Sequence, residues 1–227
     1  MPALRLVVFD VDGTLVDSQA DIVAAMTQGF DVVGAPVPAR AQILGIVGLS
    51  LDVAIPRLAP DLTADDHVRI VQGYKDAYMS LRADRGIAES SPFYPGARET
   101  LLLLAAQPNT LLGVATGKSK RGLDKLIEGH GLQGVFQTQQ VADFHPSKPH
   151  PSMLLAALHD TGVEVQNAVM IGDTSFDMDM ARAAGFGALA VSWGYHDRAA
   201  LAPLADAVAD GYAQVIAKID DILRGRP

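Results

Sequence analysis

Val7-Val8-Phe9-Asp10-Val11-Asp12-Gly13-Thr14-Leu15 decides how this chain folds. Leu4, Leu6, Val7, Val8 and Phe9 form an apolar run too short for an ordinary helix and rich in strand formers, so a buried strand is expected here. Two carboxylates follow at once, Asp10 and Asp12, and then Gly13, which permits a sharp turn. Carboxylates at the end of a buried strand cost free energy unless a counter-charge offsets them. A divalent cation is the simplest counter-charge for oxygen ligands. A strand ending in a solvated acidic turn would carry the same Asp-x-Asp-Gly, so the rest of the chain must discriminate.

The 227 residues suffice for one large domain or for a core with a smaller insert. A hydrophobic content of 49% supplies a sizeable core and argues against global disorder. The net charge of −8 argues against a nucleic-acid binder, which needs a basic face. No apolar run approaches a membrane span; Leu101 to Ala106 is far too short. The first apolar run leads straight into Asp10 and Asp12, unlike a signal peptide. There are no cysteines, which excludes disulfides, thiolate catalysis and cysteine-ligated zinc. A cytoplasmic protein with no membrane and no nucleic-acid partner is expected, as monomer or homodimer.

From Asp17 to Ala88 no strand signal occurs. Ile22, Val23, Met26 and Phe30 recur at helical spacing until Gly34-Ala35-Pro36-Val37-Pro38 breaks the pattern. Further helices are expected over Ala39–Leu44, Leu51–Leu58 and Asp65–Arg82, with a glycine-containing loop at 45–50. Ser91-Pro92-Phe93-Tyr94-Pro95-Gly96 is a stiff connector suited to a boundary. Beyond it helices and strands alternate. Strands are expected at Leu111–Ala115, within Val135–Val141, and at Ala168–Ile171, Ala188–Val191 and Ala207–Ala209. The intervening helices span Pro95–Ala106, Ser119–His130, Pro149–Asp160 and Ser175–Ala184, with a short helix after His196 and a last one over Tyr212–Leu223. Alternation at this length implies right-handed crossovers and a parallel sheet covered on both faces. Ligands of such sheets bind beyond the carboxyl ends of the strands. The division expected is an α/β core of residues 1–15 and 92–227 with a helical cap of residues 16–91.

Polar residues end each core strand. Thr116-Gly117-Lys118-Ser119 offers a hydroxyl, a glycine and a helix start, a natural cradle for phosphoryl oxygens. Helix capping alone would explain Thr116 and Ser119. Lys148 stands between prolines in His145-Pro146-Ser147-Lys148-Pro149-His150-Pro151, where a rigidly held ammonium can meet a phosphoryl oxygen and a carboxylate. An ordinary loop lysine is its plainer reading. His145 and His150 lack further histidines at ligand spacing. Asp173 closes another apolar strand, and Asp177 follows at the start of a helix. Singly they read as an N-cap and as dipole stabilisation. Three strand-end aspartates at one sheet edge would repel one another without a cation.

Four segments together are far more specific than any one. FDVDGTLVDS (9–18), ATGKS (115–119), SKPHP (147–151) and IGDTSFDMDMARAAG (171–185) resemble, in order, the four motifs of haloacid dehalogenase-like phosphatases. The helical block resembles the C1-type cap of that superfamily. Tyr94-Pro95-Gly96 and Val191-Ser192-Trp193-Gly194-Tyr195 are similar to its phosphoglycolate phosphatase branch. Gly117-Lys118 departs from the family's commoner Asn or Ser beside the motif-two hydroxyl.

The resemblance implies a Rossmann-like core and a Mg²⁺-dependent phosphatase acting on a small phosphoglycolate-like phosphomonoester through an aspartyl-phosphate. Asp10 would be the nucleophile and Asp12 the general acid and base. Thr116, Gly117 and Lys148 would hold phosphoryl oxygens, Lys148 also serving catalysis. The carboxylates of Asp10 and Asp173 and the main-chain carbonyl of Asp12 would ligate Mg²⁺, with Asp177 orienting Lys148 or a metal-bound water. Arg40 and Arg57 are cap cations that could meet an anionic substrate. A sugar phosphomutase, a nucleotidase or a pyrophosphatase on the same fold remains as an alternative. A haloacid dehalogenase is disfavoured because it has no use for Asp12, and a non-catalytic binding protein because no motif carboxylate is missing.

Overall fold

The computed structural model describes residues 3–226, apart from the side chains of residues 84 and 85. The core begins with β1 (Arg5–Phe9). Five helices are then inserted: α1 (Gln19–Asp31), α2 (Arg40–Leu44), α3 (Leu51–Leu58), α4 (Ala64–Arg85) and α5 (Ile87–Ser90). The core resumes with α6 (Ala97–Ala105), β2 (Thr110–Thr116), α7 (Lys120–His130), β3 (Thr138–Val141), α8 (Ser152–Thr161) and β4 (Ala168–Gly172). It ends with α9 (Ser175–Ala184), β5 (Gly187–Val191), α10 (Arg198–Leu201), β6 (Ala207–Ala209) and α11 (Val215–Arg224).

The six strands form one parallel sheet in the order β3-β2-β1-β4-β5-β6. Strand order reverses at β1, which pairs with β2 on one side and β4 on the other. That reversal opens a crevice beyond the carboxyl end of β1, where Asp10 stands. Alternate side chains of β1 serve opposite layers. Val7 and Phe9 pack with Leu101, Leu123 and Ile219 from α6, α7 and α11. Leu6 and Val8 pack with Leu154 and Met178 from α8 and α9. Burial on both faces explains why β1 and β4 read as continuous apolar runs instead of alternating ones.

The inserted helices have their own core, in which Ile22, Met26 and Phe30 of α1 meet Ile55 of α3 and Ile70 of α4. The two chain crossings between cap and core run side by side. Asp17 N donates to Pro92 O (2.8 Å), Tyr94 N donates to Leu15 O (3.0 Å), and Val16 and Phe93 form an antiparallel bridge. Among the described residues no helix is long and apolar enough to cross a membrane.

Three element boundaries differ from the sequence expectation by three residues, the others by less. The helix expected to stop at Arg82 runs on to Arg85, and Gly86, at φ 80°, turns the chain into the unforeseen α5. The last helix starts at Val215, because Tyr212–Gln214 is a 3₁₀ turn that buries Tyr212 and lets its hydroxyl donate to Thr14 O (2.7 Å). The helix expected from Pro149 begins at Ser152, after the turn that carries Lys148.

Candidate active site

Each polar side chain at this site is delivered by the carboxyl end of a strand. Asp10 follows β1, Thr116 closes β2, Lys148 lies in the loop after β3, and Asp173 follows β4. Gly13 turns the chain after β1 at φ 86°, and any Cβ there would collide with the Asp173 carboxylate. Glycine is therefore required both for the backbone angle and for the approach of β1 to β4.

Lys148 is completely buried between two carboxylates. Its Nζ lies 2.6 Å from Asp10 Oδ1 and 2.7 Å from Asp177 Oδ1. Burial opposes its charge, but Asp10 and Asp177 outweigh that and hold it above the ordinary lysine range. Thr174, not Asp173, is the N-cap of α9, and it forms a capping box with Asp177. Its N–H (3.1 Å) and hydroxyl (2.7 Å) donate to Asp177 Oδ2, which leaves Oδ1 for Lys148. Asp173 accepts from the Thr14 hydroxyl (2.9 Å) and from Tyr195 N (2.8 Å).

Asp10, Asp173 and Asp177 each offer a carboxylate oxygen, all within 4.8 Å of one another. Burial raises the Asp10 carboxyl to about 7; Lys148 pulls it down and Asp177 pushes it up. Burial also lifts Asp173 well above the usual carboxylate range, and Asp10 and Asp177 add to it. Asp10 Oδ2 is buried with no hydrogen-bond partner. An all-oxygen donor set, an orphaned carboxylate oxygen and mutual repulsion fit a hard divalent cation such as Mg²⁺.

The side chain of Asp12 points elsewhere. It pairs with Lys118 Nζ at 2.7 Å and accepts from the Ser18 hydroxyl. Burial alone would raise its pKa, but the charge and hydrogen bond of Lys118, with Ser18, lower it. Lys118 Nζ also donates to the Tyr78 hydroxyl of α4 (3.1 Å), so a core lysine ties the base of the site to the cap. Two neighbouring carboxylates are thus driven in opposite directions, Asp10 up and Asp12 down, because their charged partners differ.

A cavity of about 710 Å³ separates the cap from the strand ends and is lined by Asp10, Asp12, Thr116, Gly117 and Lys118 on the core side. Its cap side includes Ile46, Val47, Gly48 and Leu49, from the loop that sequence singled out. A Cβ on Gly117 would lie 2.7 Å from Gly48 O and 2.8 Å from Leu49 O. The family's commoner side chain at this position is absent because the cap loop occupies its space. Ser50 N donates to Ser147 Oγ (2.9 Å), seating the same loop beside Lys148.

Of the residues named from sequence, Asp10, Thr116, Gly117, Lys148, Asp173 and Asp177 gather at this crevice, and Asp12 faces it with its carboxylate turned to Lys118. Arg40 and Arg57 do not line the cavity: Arg40 donates to Gln19 Oε1 (2.6 Å) and Arg57 lies 5.8 Å from the Phe176 ring centroid. The cap cations that do line it are Lys75, which is exposed, and Arg82, which is buried. Nothing in the sequence set Arg82 apart from Arg69 and Arg85 of the same helix. His145 is engaged with Ser152 and Gln140, both at 2.8 Å, and joins no metal cluster among the described residues.

A family model described as haloacid dehalogenase-like hydrolase matches residues 7–191. The chain belongs to this family. It is 33% identical over 225 residues to "Probable phosphatase IndB" of Dickeya dadantii, covering 96% of this chain and 95% of that one. It is 30% identical over 194 residues to a protein of Nitrosococcus oceani named phosphoglycolate phosphatase, covering 85% of each chain. A haloacid dehalogenase-like hydrolase from Streptococcus pneumoniae superimposes with a TM-score of 0.81 at 29% identity, covering 96% of this chain and 99% of that one. Fold, family and buried acidic cluster together define a hydrolase with a phosphatase-type site fit for a divalent cation.

Proposed function

We propose that this protein is a Mg²⁺-dependent phosphatase that hydrolyses a small phosphomonoester, of the phosphoglycolate type, through an aspartyl-phosphate. The observation that carries this reading is the Asp10–Lys148–Asp177 triad, with Asp10 Oδ2 left free of any hydrogen bond. A carboxylate oriented through one oxygen presents the other for attack, and a covalent intermediate divides one hard displacement into two easier ones. Relatives named phosphoglycolate phosphatase support the substrate type.

In the first half-reaction Asp10 Oδ2 attacks phosphorus, the bond to the ester oxygen breaks, and Asp12 gives that oxygen its proton. In the second, Asp12 takes a proton from water, the resulting hydroxide attacks phosphorus, and the Asp10–phosphorus bond breaks to release inorganic phosphate. Lys148, the Thr116 hydroxyl and the main-chain N–H groups around Gly117 hold the other phosphoryl oxygens and offset their growing charge. Asp10 and Asp173, with the Asp12 main-chain carbonyl, would hold Mg²⁺, and Asp177 keeps Lys148 in place. Bound there, the cation would neutralise the carboxylates and polarise the phosphoryl group. Residues 16–91 act as the cap domain over a core of residues 1–15 and 92–227, excluding water while the leaving group is read.

The experiment is phosphate release from a panel of phosphoesters, with Mg²⁺ and with chelator. Mg²⁺-dependent release, with a single phosphoryl group trapped on Asp10 by rapid acid quench and peptide mass mapping, is the expected result. Transfer to a second hydroxyl of the substrate without release would indicate a mutase instead. Equal turnover in chelator would remove the cation from the reaction.

A further inference from the structure

The cap wall of the cavity is mostly apolar, with Met26, Leu49 and Tyr74 facing it. One buried cation interrupts that wall. Arg82, near the end of α4, is only 9% exposed. Its Nη2 donates to Ser91 Oγ (3.0 Å), and its guanidinium carbon lies 4.5 Å from the Tyr78 ring centroid. Its Nε is buried without a hydrogen-bond partner, and among the described residues no carboxylate forms an ion pair with it. A serine hydroxyl and a ring face soften the cost of burying this charge but do not neutralise it.

The two buried lysines at the crevice are already committed, and Lys75, Arg121 and Lys125 reach the cavity only from its exposed rim. Lys148 is held by Asp10 and Asp177, and Lys118 by Asp12. Arg82 is therefore the buried cation of this cavity left for an incoming anion. A guanidinium matches the planar, two-oxygen edge of a carboxylate or phosphoryl group better than an ammonium does. The phosphoryl group being transferred is bound at the strand ends of the core, whereas Arg82 stands on the cap, where the leaving group must lie.

We propose that Arg82 is a specificity-determining subsite that receives an oxyanion carried by the leaving group, so that the protein selects phosphomonoesters whose alcohol is itself anionic. This inference rests on the phosphatase reading above. It accounts for a buried arginine with no carboxylate partner among the described residues on a mostly apolar wall, and it places substrate discrimination on α4 beside Ser91. The carboxylate of a hydroxy acid and a second phosphoryl group share the chemistry that Arg82 would recognise.

The test uses matched esters: phosphoglycolate against hydroxyethyl phosphate, and propanediol bisphosphate against hydroxypropyl phosphate, each with Mg²⁺. The wild type is expected to favour the charged member of at least one pair by about tenfold to a hundredfold in kcat/KM, the range of a charge-assisted hydrogen bond. The pair that shows the preference tells carboxylate from phosphate. Arg82→Gln should collapse that ratio toward one, chiefly by raising KM for the charged ester, and Arg82→Lys should restore part of it. Equal loss on both members in Arg82→Gln would reduce Arg82 to a brace for Tyr78 and overturn the proposal. So would a wild type indifferent to the charge, a comparison that needs no folded variant. Absence of Mg²⁺-dependent release from all four esters and from 4-nitrophenyl phosphate would instead sink the phosphatase reading itself.

Discussion

Lys118 Nζ lies 2.7 Å from the carboxylate of Asp12 and 3.1 Å from the hydroxyl of Tyr78, joining the proposed acid-base residue of the core to a helix of the cap. Replacing Lys118 by Met removes the first cause that holds the Asp12 carboxyl down. The limb of the kcat/KM profile that needs protonated Asp12, the acid of the first half-reaction, should then move to higher pH. The plateau should fall about tenfold to a hundredfold, as for a buried charge stripped of its partner. A pH profile superimposable on the wild type would show that Lys118 does not set the state of Asp12.

Asp10→Asn should lower phosphate release by at least about a thousandfold, the scale seen when a nucleophile is removed. The change is nearly isosteric and leaves Lys148 paired with Asp177. Circular dichroism and the melting temperature should therefore report an intact fold. Substantial residual turnover in a well-folded variant would assign the attack to another group.

The cation-free protein should lose stability as pH rises from about 4 to about 7. Asp10 titrates near 7 when folded against a reference value of 3.8, so over that window the folded state binds the extra proton. Its contribution is complete below the reference value and is lost as pH climbs through the folded one; Asp173 shifts in the same direction. Mg²⁺ should flatten this dependence by stabilising the ionised carboxylates. Asp173→Asn should raise the melting temperature of the cation-free protein near neutral pH and abolish the gain from Mg²⁺. Thermal unfolding across pH, with chelator and with Mg²⁺, measures both, and curves unaffected by the metal would reject the cluster as a cation site.

Gly117→Ala drives a methyl into the carbonyls of Gly48 and Leu49. Because those carbonyls belong to the cap loop, the clash should lift the loop instead of unfolding the core. A stability loss of about 1–3 kcal/mol is the scale of such overpacking. Activity should fall further than stability does, and a released cap should cleave more readily at its connectors under limited proteolysis. Wild-type turnover in this variant would mean that the loop has no part in covering the site.

Leu49 faces the cavity from the same loop, and its side chain is not among the groups that would hold the phosphoryl oxygens. Leu49→Ala should change the ranking of esters more than it changes turnover of the best one, because it alters only what meets the leaving group. Initial rates across the ester panel give the answer; an unchanged ranking would exclude this loop from substrate choice.

The local sequence determined the strands, the helices and the identity of most of the gathered residues. Apolar runs that end in Asp10, Thr116 and Asp173 announce buried strands whose polar ends need a shared purpose, and the strand-free stretch from Asp17 to Ala88 announces an insertion. These are short-range signals, carried by periodicity and by the cost of burying charge. Partnership was decided only by tertiary structure. That Asp12 faces Lys118 while Asp10 faces Lys148 depends on loops from β2 and β3 converging on β1, at separations of 106 and 138 residues. The cap offered Arg40 and Arg57 as cavity cations as readily as Arg82, since all three are arginines in helical segments. Burial on the cavity side of α4 selects Arg82, and Gly117 acquires its reason from a cap loop nearly 70 residues earlier in the chain. Such choices follow from how packed elements face one another across space, a relation that no local pattern of residues encodes.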